Sequence, residues 1–252
     1  MSSIVSQGPC PRCASSDAYT EYDDGGTHCF SCGLHTPGNA YKKLLGGATV
    51  TQKKLKLSLC PPLPGDAARL LGWGIDGVFH VVDWLQRYGI THAEMDEYQF
   101  LYSPEKRYLI FPVYDPNGNL VMWQARYFGD NPSHPKYITR GVPADVLHIL
   151  GRPSDSIVLV EDLLSAIKVS RVAAAMPLWG SHISANLIQR ISLEYSSAIL
   201  WLDYDKRVEA VEMAIGKAIP IKVVITKHDP KMYNDIEIQG FLRNSAQGAA
   251  LT

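Results

Sequence analysis

Two C-x-x-C pairs near the start of the chain, Cys10 with Cys13 and Cys29 with Cys32, constrain its fold more than any other feature of the 252 residues. The spacer between the pairs, 14–28, holds 15 residues, as a zinc ribbon requires: each pair closes a tight turn and the four thiolates meet at one tetrahedral Zn²⁺. Pro9, Pro11 and Gly33 supply turn chemistry around them. Four sulfurs leave no open position for water, so such a metal is structural, with His28 and His35 as flanking alternatives to a cysteine ligand. A redox pair is the competing reading, and the doubled motif argues against it. Cys60, the fifth cysteine, reads as an idle thiol. Residues 19–22 predict a strand, with Asp23, Asp24, Gly25 and Gly26 as its hairpin turn. Its aromatic residues could stack on unpaired bases or pack the small ribbon core.

The ribbon ends near residue 38. From 39 to 64 the chain is rich in Gly, Thr, Lys and Pro, including Lys53, Lys54 and Lys56, and reads as a flexible basic linker whose lysines are solvated or touch phosphate. Beyond it, Val78, Val81, Val82 and Leu85 recur at helical spacing and Gly89 stops the helix. Thr91 with Glu94 forms a capping box for a second helix that buries Met95 and Tyr98. Strands at 108–115 and 120–128 follow, joined through Asp115, Pro116, Asn117 and Gly118. Arg107, Arg126, Lys136 and Arg140 sit on or beside these strands, either as a phosphate-binding face or as surface ion-pair partners.

After Gly151 apolar strands alternate with helices: strand 157–160, helix 163–176, a short strand to 179, helix 184–194, strand 198–202, helix 206–219 and strand 221–226. That alternation predicts a parallel α/β sheet over 151–252. Reactive groups in such sheets collect beyond the carboxyl ends of the strands. Acids fall there: Glu161 after the first strand, Asp203 and Asp205 after the Leu200-Trp201-Leu202 strand, and Asp229 beyond the last. On extended backbone, residues i and i+2 project to the same side, so Asp203 and Asp205 can face one cation. Clustered carboxylates repel unless a cation neutralises them, and hard oxygen ligands suit Mg²⁺ or Mn²⁺.

A formal net charge of −1 gives no global attraction to nucleic acid, so any such binding must rest on local basic patches. The hydrophobic share of 46% suits one sizeable core and a small satellite domain. No run of 18 or more apolar residues and no signal-peptide pattern occurs, so no membrane association and a cytoplasmic location are expected.

Together these residues resemble the bacterial DnaG-type primases and the primase halves of phage primase-helicases, over nearly the whole chain. Cys10-Pro11-Arg12-Cys13 and Cys29-Phe30-Ser31-Cys32 look like the family's zinc-binding domain in its all-cysteine phage form. The stretch from Arg107 through Val113 and Gln124-Ala125-Arg126, then Pro135-Lys136-Tyr137-Ile138, looks like the basic subdomain, assigned to 65–150. Glu161, Asp203-Tyr204-Asp205 and Asp229-Pro230 resemble the acidic motifs of the Toprim sheet. The sequence departs from the family pattern at Asp162 and Ser165, where glycine and aspartate are usual, so an auxiliary ligand is missing or shifted to Asp162. Lys206, Arg207 and Val208 replace the usual small-residue turn after Asp205.

The resemblance implies an α/β protein: a small all-β zinc ribbon (1–38) followed by a mixed α/β primase core containing a Toprim parallel sheet. It implies a nucleotidyltransferase making RNA primers on a single-stranded DNA template from nucleoside triphosphates. Glu161, Asp203 and Asp205 would be catalytic, holding one or two Mg²⁺ or Mn²⁺ ions with Asp229. Arg107, Arg126, Lys136 and Lys206 would contact nucleotide or template. No G-x-x-x-x-G-K-[ST] loop is present, so the partner helicase is expected to be a separate protein, and the layout suggests a phage or mobile element acting in the host cytoplasm. The rivals are a Toprim nuclease sharing the acids, and a non-catalytic single-stranded DNA-binding protein that recruits a helicase.

Overall fold

The computed structural model describes residues 4–11, 15–29, 34–36, 60, 62–143, 146–215 and 219–246. Cys13, Cys32, Gly33 and nearly all of the expected 39–64 linker lie outside them. The chain divides into two compact units, Met1–Leu57 and Ser58–Thr252.

The first unit is an antiparallel sheet of β1 (Ile4–Gly8), β2 (Tyr19–Tyr22), β3 (Thr27–Cys29) and β4 (His35–Thr36) in sequential order. The 23–26 hairpin forms as its residues dictate: Asp24 Oδ1 accepts from the Gly26 N–H, and Gly25 takes the left-handed φ of 73° that glycine tolerates. Strand β1 was not legible, because its side chains are exposed and carry no alternation.

The second unit holds two sheets. An antiparallel one runs in the order β5 (Ala68–Arg69), β6 (Leu101–Ser103), β7 (Tyr108–Tyr114), β8 (Leu120–Tyr127), β9 (Tyr137–Arg140). The Asp115 turn joins β7 to β8, its carboxylate accepting from the backbone of Asn117 and Asn119. Helix α1 (Ile75–Arg87) buries Val78, Val81, Val82 and Leu85, and α2 (His92–Glu97) starts at a complete Thr91–Glu94 capping box.

The parallel sheet has the order β11 (Ala175–Pro177), β10 (Ser156–Val160), β12 (Ser197–Trp201), β13 (Ile221–Val223). Its central strands are apolar on both faces, as a sheet covered on both sides requires. Val158, Val160, Ile199 and Trp201 join one core with α1, α3 (Leu163–Ser170), α6 (Asp235–Ala246) and the β7 residues Leu109 and Phe111. Ile157, Leu159, Ala198 and Leu200 point the other way, to α4 (Ala185–Ile191) and α5 (Arg207–Ala214). The first core therefore welds the two sheets together.

Three expected boundaries are corrected. The helix expected over 163–176 stops at Ser170: Ala173-Ala174-Ala175 has high helix propensity, but Val158 and Leu159 pair with Ala175 and Met176, so strand pairing prevails there. The helix expected over 206–219 is described only as Arg207–Ala214, preceded by a 3-10 turn over Tyr204–Lys206. The last strand ends at Val223 rather than 226, since Thr226 turns its hydroxyl to the Trp201 indole. Among the described residues no helix is long and apolar enough to cross a membrane.

Candidate active site

The carboxyl ends of β10, β12 and β13 deliver the acids. Glu161 immediately follows β10, and Asp203 lies two residues beyond β12. Asp229 sits on the longer segment after β13, which a chain of side-chain contacts fixes. Trp201 Nε1 donates to Thr226 Oγ1 (2.8 Å), Thr226 Oγ1 donates to the His228 carbonyl (2.8 Å), and the His228 N–H donates to the Tyr233 hydroxyl (3.0 Å). Tyr233 and Trp201 in turn pack on Phe241 of α6. A buried tryptophan on the central sheet thus sets the position of the third acid.

Glu161 Oε2 and Asp203 Oδ1 are buried and have no hydrogen-bond partner among the described residues. Buried polar atoms are nearly always paired, so two orphaned carboxylate oxygens on adjacent strands need an explanation. Their charges are only partly compensated, by Lys231. Burial, then the charges of Asp162 and Asp205, raises the Glu161 carboxyl above its usual range. Burial, with Asp229 and Glu161 adding to it, pushes Asp203 up to about 7 despite Lys231. A divalent cation would satisfy both oxygens and stabilise both ionised forms, so these two residues fit one. Among the described residues no three His, Cys, Asp or Glu side chains are gathered closely enough to enclose a metal. Two carboxylates still suit Mg²⁺, which keeps several waters and takes further oxygens from substrate phosphate.

The remaining acids differ. Asp162 caps α3, accepting from the Ser165 N–H (3.0 Å) and hydroxyl (2.9 Å), which explains the serine found where the resemblance would place an aspartate. Lys231 Nζ lies 2.8 Å from both Asp162 Oδ2 and Asp229 Oδ2. Burial opposes its charge, but Asp162 and Asp229 hold it above the ordinary lysine range. Asp205 is exposed in the 3-10 turn, so the backbone does not stay extended after Asp203 and the expected i, i+2 alignment fails. Lys231 was missed by sequence reasoning, because its partner Asp162 is 69 residues away.

Of the basic residues, Arg126 on β8 stands over an aromatic cradle: its guanidinium carbon is 4.3 Å from the Trp84 ring centre, 5.3 Å from Phe128 and 5.4 Å from Tyr137. Arg126 Nη1 donates to the Tyr137 hydroxyl at 3.0 Å, while its buried Nε has no partner among the described residues. Tyr137 lies within electrostatic reach of Asp162 and Lys231, which links this arginine to the acids. Arg107 is ion-paired to Asp130, Lys136 is exposed beside Tyr137, and Lys206 pairs with Glu209 at 3.5 Å.

In the first unit, Cys10 and Cys29 are buried, at 3% and 0% exposure. The Cys10 N–H donates to the Ser15 carbonyl (2.9 Å) and the Cys29 N–H to the Leu34 carbonyl (2.8 Å), the same spacing at each. Two buried cysteines with the same backbone pairing fit a zinc ribbon.

No protein-family model matches the chain, and no curated protein matches it significantly. Solved structures do. The chain is similar to the Aquifex aeolicus primase (zinc-binding and RNA polymerase domains) at 12% identity and a TM-score of 0.54, over 96% of this chain and 80% of that one. It is similar to a DnaG catalytic core at 14% identity and a TM-score of 0.50, over 65% of this chain and 72% of that one. A DnaG primase catalytic domain bound to single-stranded DNA matches at 14% identity and a TM-score of 0.50, over 68% of this chain and 72% of that one. The chain therefore has the DnaG-type primase fold, an antiparallel ribbon module and a mixed α/β core with a parallel sheet.

Proposed function

We propose that this chain is a DNA primase, making short RNA primers on single-stranded DNA by divalent-metal-dependent nucleotidyl transfer. The observation that carries the reading is the pair of orphaned carboxylate oxygens on Glu161 and Asp203, at the carboxyl edge of the parallel sheet in a primase fold. Mg²⁺ or Mn²⁺ bound there would activate a primer 3′-hydroxyl and neutralise charge on the triphosphate. Asp205, exposed nearby, and Asp229 would complete the acidic rim. Arg126, packed among Trp84, Phe128 and Tyr137, would use its guanidinium, whose Nε has no partner among the described residues, to orient a triphosphate oxygen. Lys136, Lys206 and Arg107 supply further positive charge for nucleotide or template backbone.

Cys10, Cys13, Cys29 and Cys32 would hold a structural zinc, making 1–38 the template-reading module, tethered through 39–64 to a core whose basic part is 65–150 and whose catalytic part is 151–252. A separate replicative helicase is the expected partner, within the cytoplasm of a phage's or mobile element's host. The test is synthesis of labelled oligomers from four ribonucleotides, single-stranded template and Mg²⁺. The wild type should make them and the Asp203→Ala, Asp205→Ala double variant should not. Cleavage of DNA without nucleotides would favour a nuclease instead, and footprinting without synthesis a helicase-recruiting module. Freshly purified, reduced protein should carry about one zinc ion per chain. Template binding should weaken steeply with added salt, as phosphate contacts dominate it.

A further inference from the structure

We infer that the Lys231 ammonium is a built-in cation of this site, holding the position beside Asp162 and Asp229 and limiting the site to a single divalent ion. The inference rests on the metal-dependent reading above and settles its stoichiometry. The acids fall into two halves. Asp162 and Asp229 each give one oxygen to Lys231 Nζ at 2.8 Å, the length of a good charge-assisted hydrogen bond. The Lys231 side chain is only 14% exposed, against 24% and 31% for its two partners, so this is a packed-in charge rather than a mobile surface lysine.

Glu161 and Asp203 form the other half and keep buried oxygens without partners among the described residues. A cation that bridged Asp162 to Asp229 would have to expel Lys231 from between them, leaving a mostly buried ammonium without its acids. A cation at Glu161 and Asp203 displaces nothing. Asp162 is further engaged as the N-cap of α3 through both the N–H and the hydroxyl of Ser165, which holds its carboxylate in the orientation that meets the lysine. The aromatic ring of Tyr88, 5.9 Å from Nζ, closes another side of the ammonium.

The experiment counts Mn²⁺ bound to the zinc-loaded full chain, by titration calorimetry and by loss of the free Mn²⁺ electron paramagnetic resonance signal. The wild type should bind about one ion at oxygen ligands, and Lys231→Met, which keeps the length and removes the charge, should bind about two. Lys231→Arg should stay at about one. Adding Asp203→Asn to Lys231→Met should take the count back to about one by removing the other site. Two ions on the wild type, or one on Lys231→Met, overturns the inference while leaving the metal-dependent reading intact. No ion on the wild type overturns both. Because the wild-type count alone can refute the inference, it stays testable even where a variant does not fold.

Discussion

Helix α3 meets a cluster of acids at each end, and the two clusters are built to opposite specifications. At its C-terminal end Arg171 donates to both oxygens of Glu94 (2.8 Å each), to the Gly89 carbonyl (2.7 Å) and to Asp235 (3.3 Å). Both carboxylates there are answered, and burial is more than offset for Glu94, which Arg171 and Thr91 hold below the usual glutamate range. At the N-terminal end Lys231 answers Asp162 and Asp229, while Glu161 and Asp203 keep orphaned oxygens and raised carboxyls. The same helix thus carries one cluster whose carboxylates Glu94 and Asp235 are answered by Arg171 and one that has room for a charge from outside. Satisfaction marks the structural end, and dissatisfaction marks the end proposed above for chemistry.

The comparison breaks most directly at the dissatisfied end. Asp203→Asn or Glu161→Gln should lower primer synthesis by roughly 10²-fold or more, while the melting temperature of metal-free protein stays level or rises, since an unpaired buried charge is removed. Oligomer synthesis and a thermal melt on the same preparation check both halves. A lowered melting temperature would show that these acids serve the fold.

Arg171→Met should do the reverse. It strands Glu94, whose side chain is 15% exposed, and should cost about 2–4 kcal/mol, somewhat below the full penalty of a deeply buried pair. Denaturant unfolding measures it. Synthesis per folded molecule should be unchanged, and adding Glu94→Gln should recover part of the loss because the stranded charge is gone.

How far these two ends were legible beforehand follows from the range of the interactions. Glu161, Asp203 and Asp229 could be read from sequence because each sits just past an apolar run, and the sheet rule converts that local position into a shared edge. The Thr91–Glu94 capping box was equally local, since all its partners lie within one turn. Lys231 and Arg171 were not legible: Asp229 lies only two residues from Lys231, but the partners that bury these cations, Asp162, Glu94 and Asp235, lie tens of residues away. The helix was expected to run on through 171–176 for a related reason, as alanine propensity is local and pairing with β10 is not. Asp205 shows the limit of a periodic argument, because the chain leaves extended geometry one residue after Asp203.

Acidity should separate the two ends in sign. Asp203 has a folded pKa of about 7 against about 3.9 for an unfolded aspartate, so the folded state holds the extra proton between those values. Metal-free stability should therefore fall as pH rises from about 4 to 7, by roughly 1–3 kcal/mol once solvent screening is allowed for, and flatten above. Glu94 is shifted downward, so its contribution is complete above the ordinary glutamate pKa and is lost as pH falls through its lower folded value. Melting curves across pH should show Asp203→Asn flattening only the neutral-side decline, Glu94→Gln only the acid-side loss, and added Mg²⁺ acting like the first. An unchanged neutral-side decline in Asp203→Asn would assign that slope to another group.

The same contrast, on a smaller scale, runs between two arginines of the antiparallel sheet. Arg107 already has an acid, Asp130, whereas Arg126 has aromatic faces, one hydroxyl and an Nε without a partner among the described residues. A guanidinium packed among rings keeps donors for an anion, and the Tyr137 hydroxyl holds one of its nitrogens in place. Tyr137→Phe removes only that hydroxyl, so it should raise the KM for nucleotide a few-fold, about 0.5–1.5 kcal/mol, and leave kcat nearly unchanged. Arg107→Ala should move neither parameter as far, because releasing Asp130 at the surface costs little. If Arg107→Ala raised KM more than Tyr137→Phe did, partner satisfaction would not be what distinguishes binding residues from structural ones in this sheet.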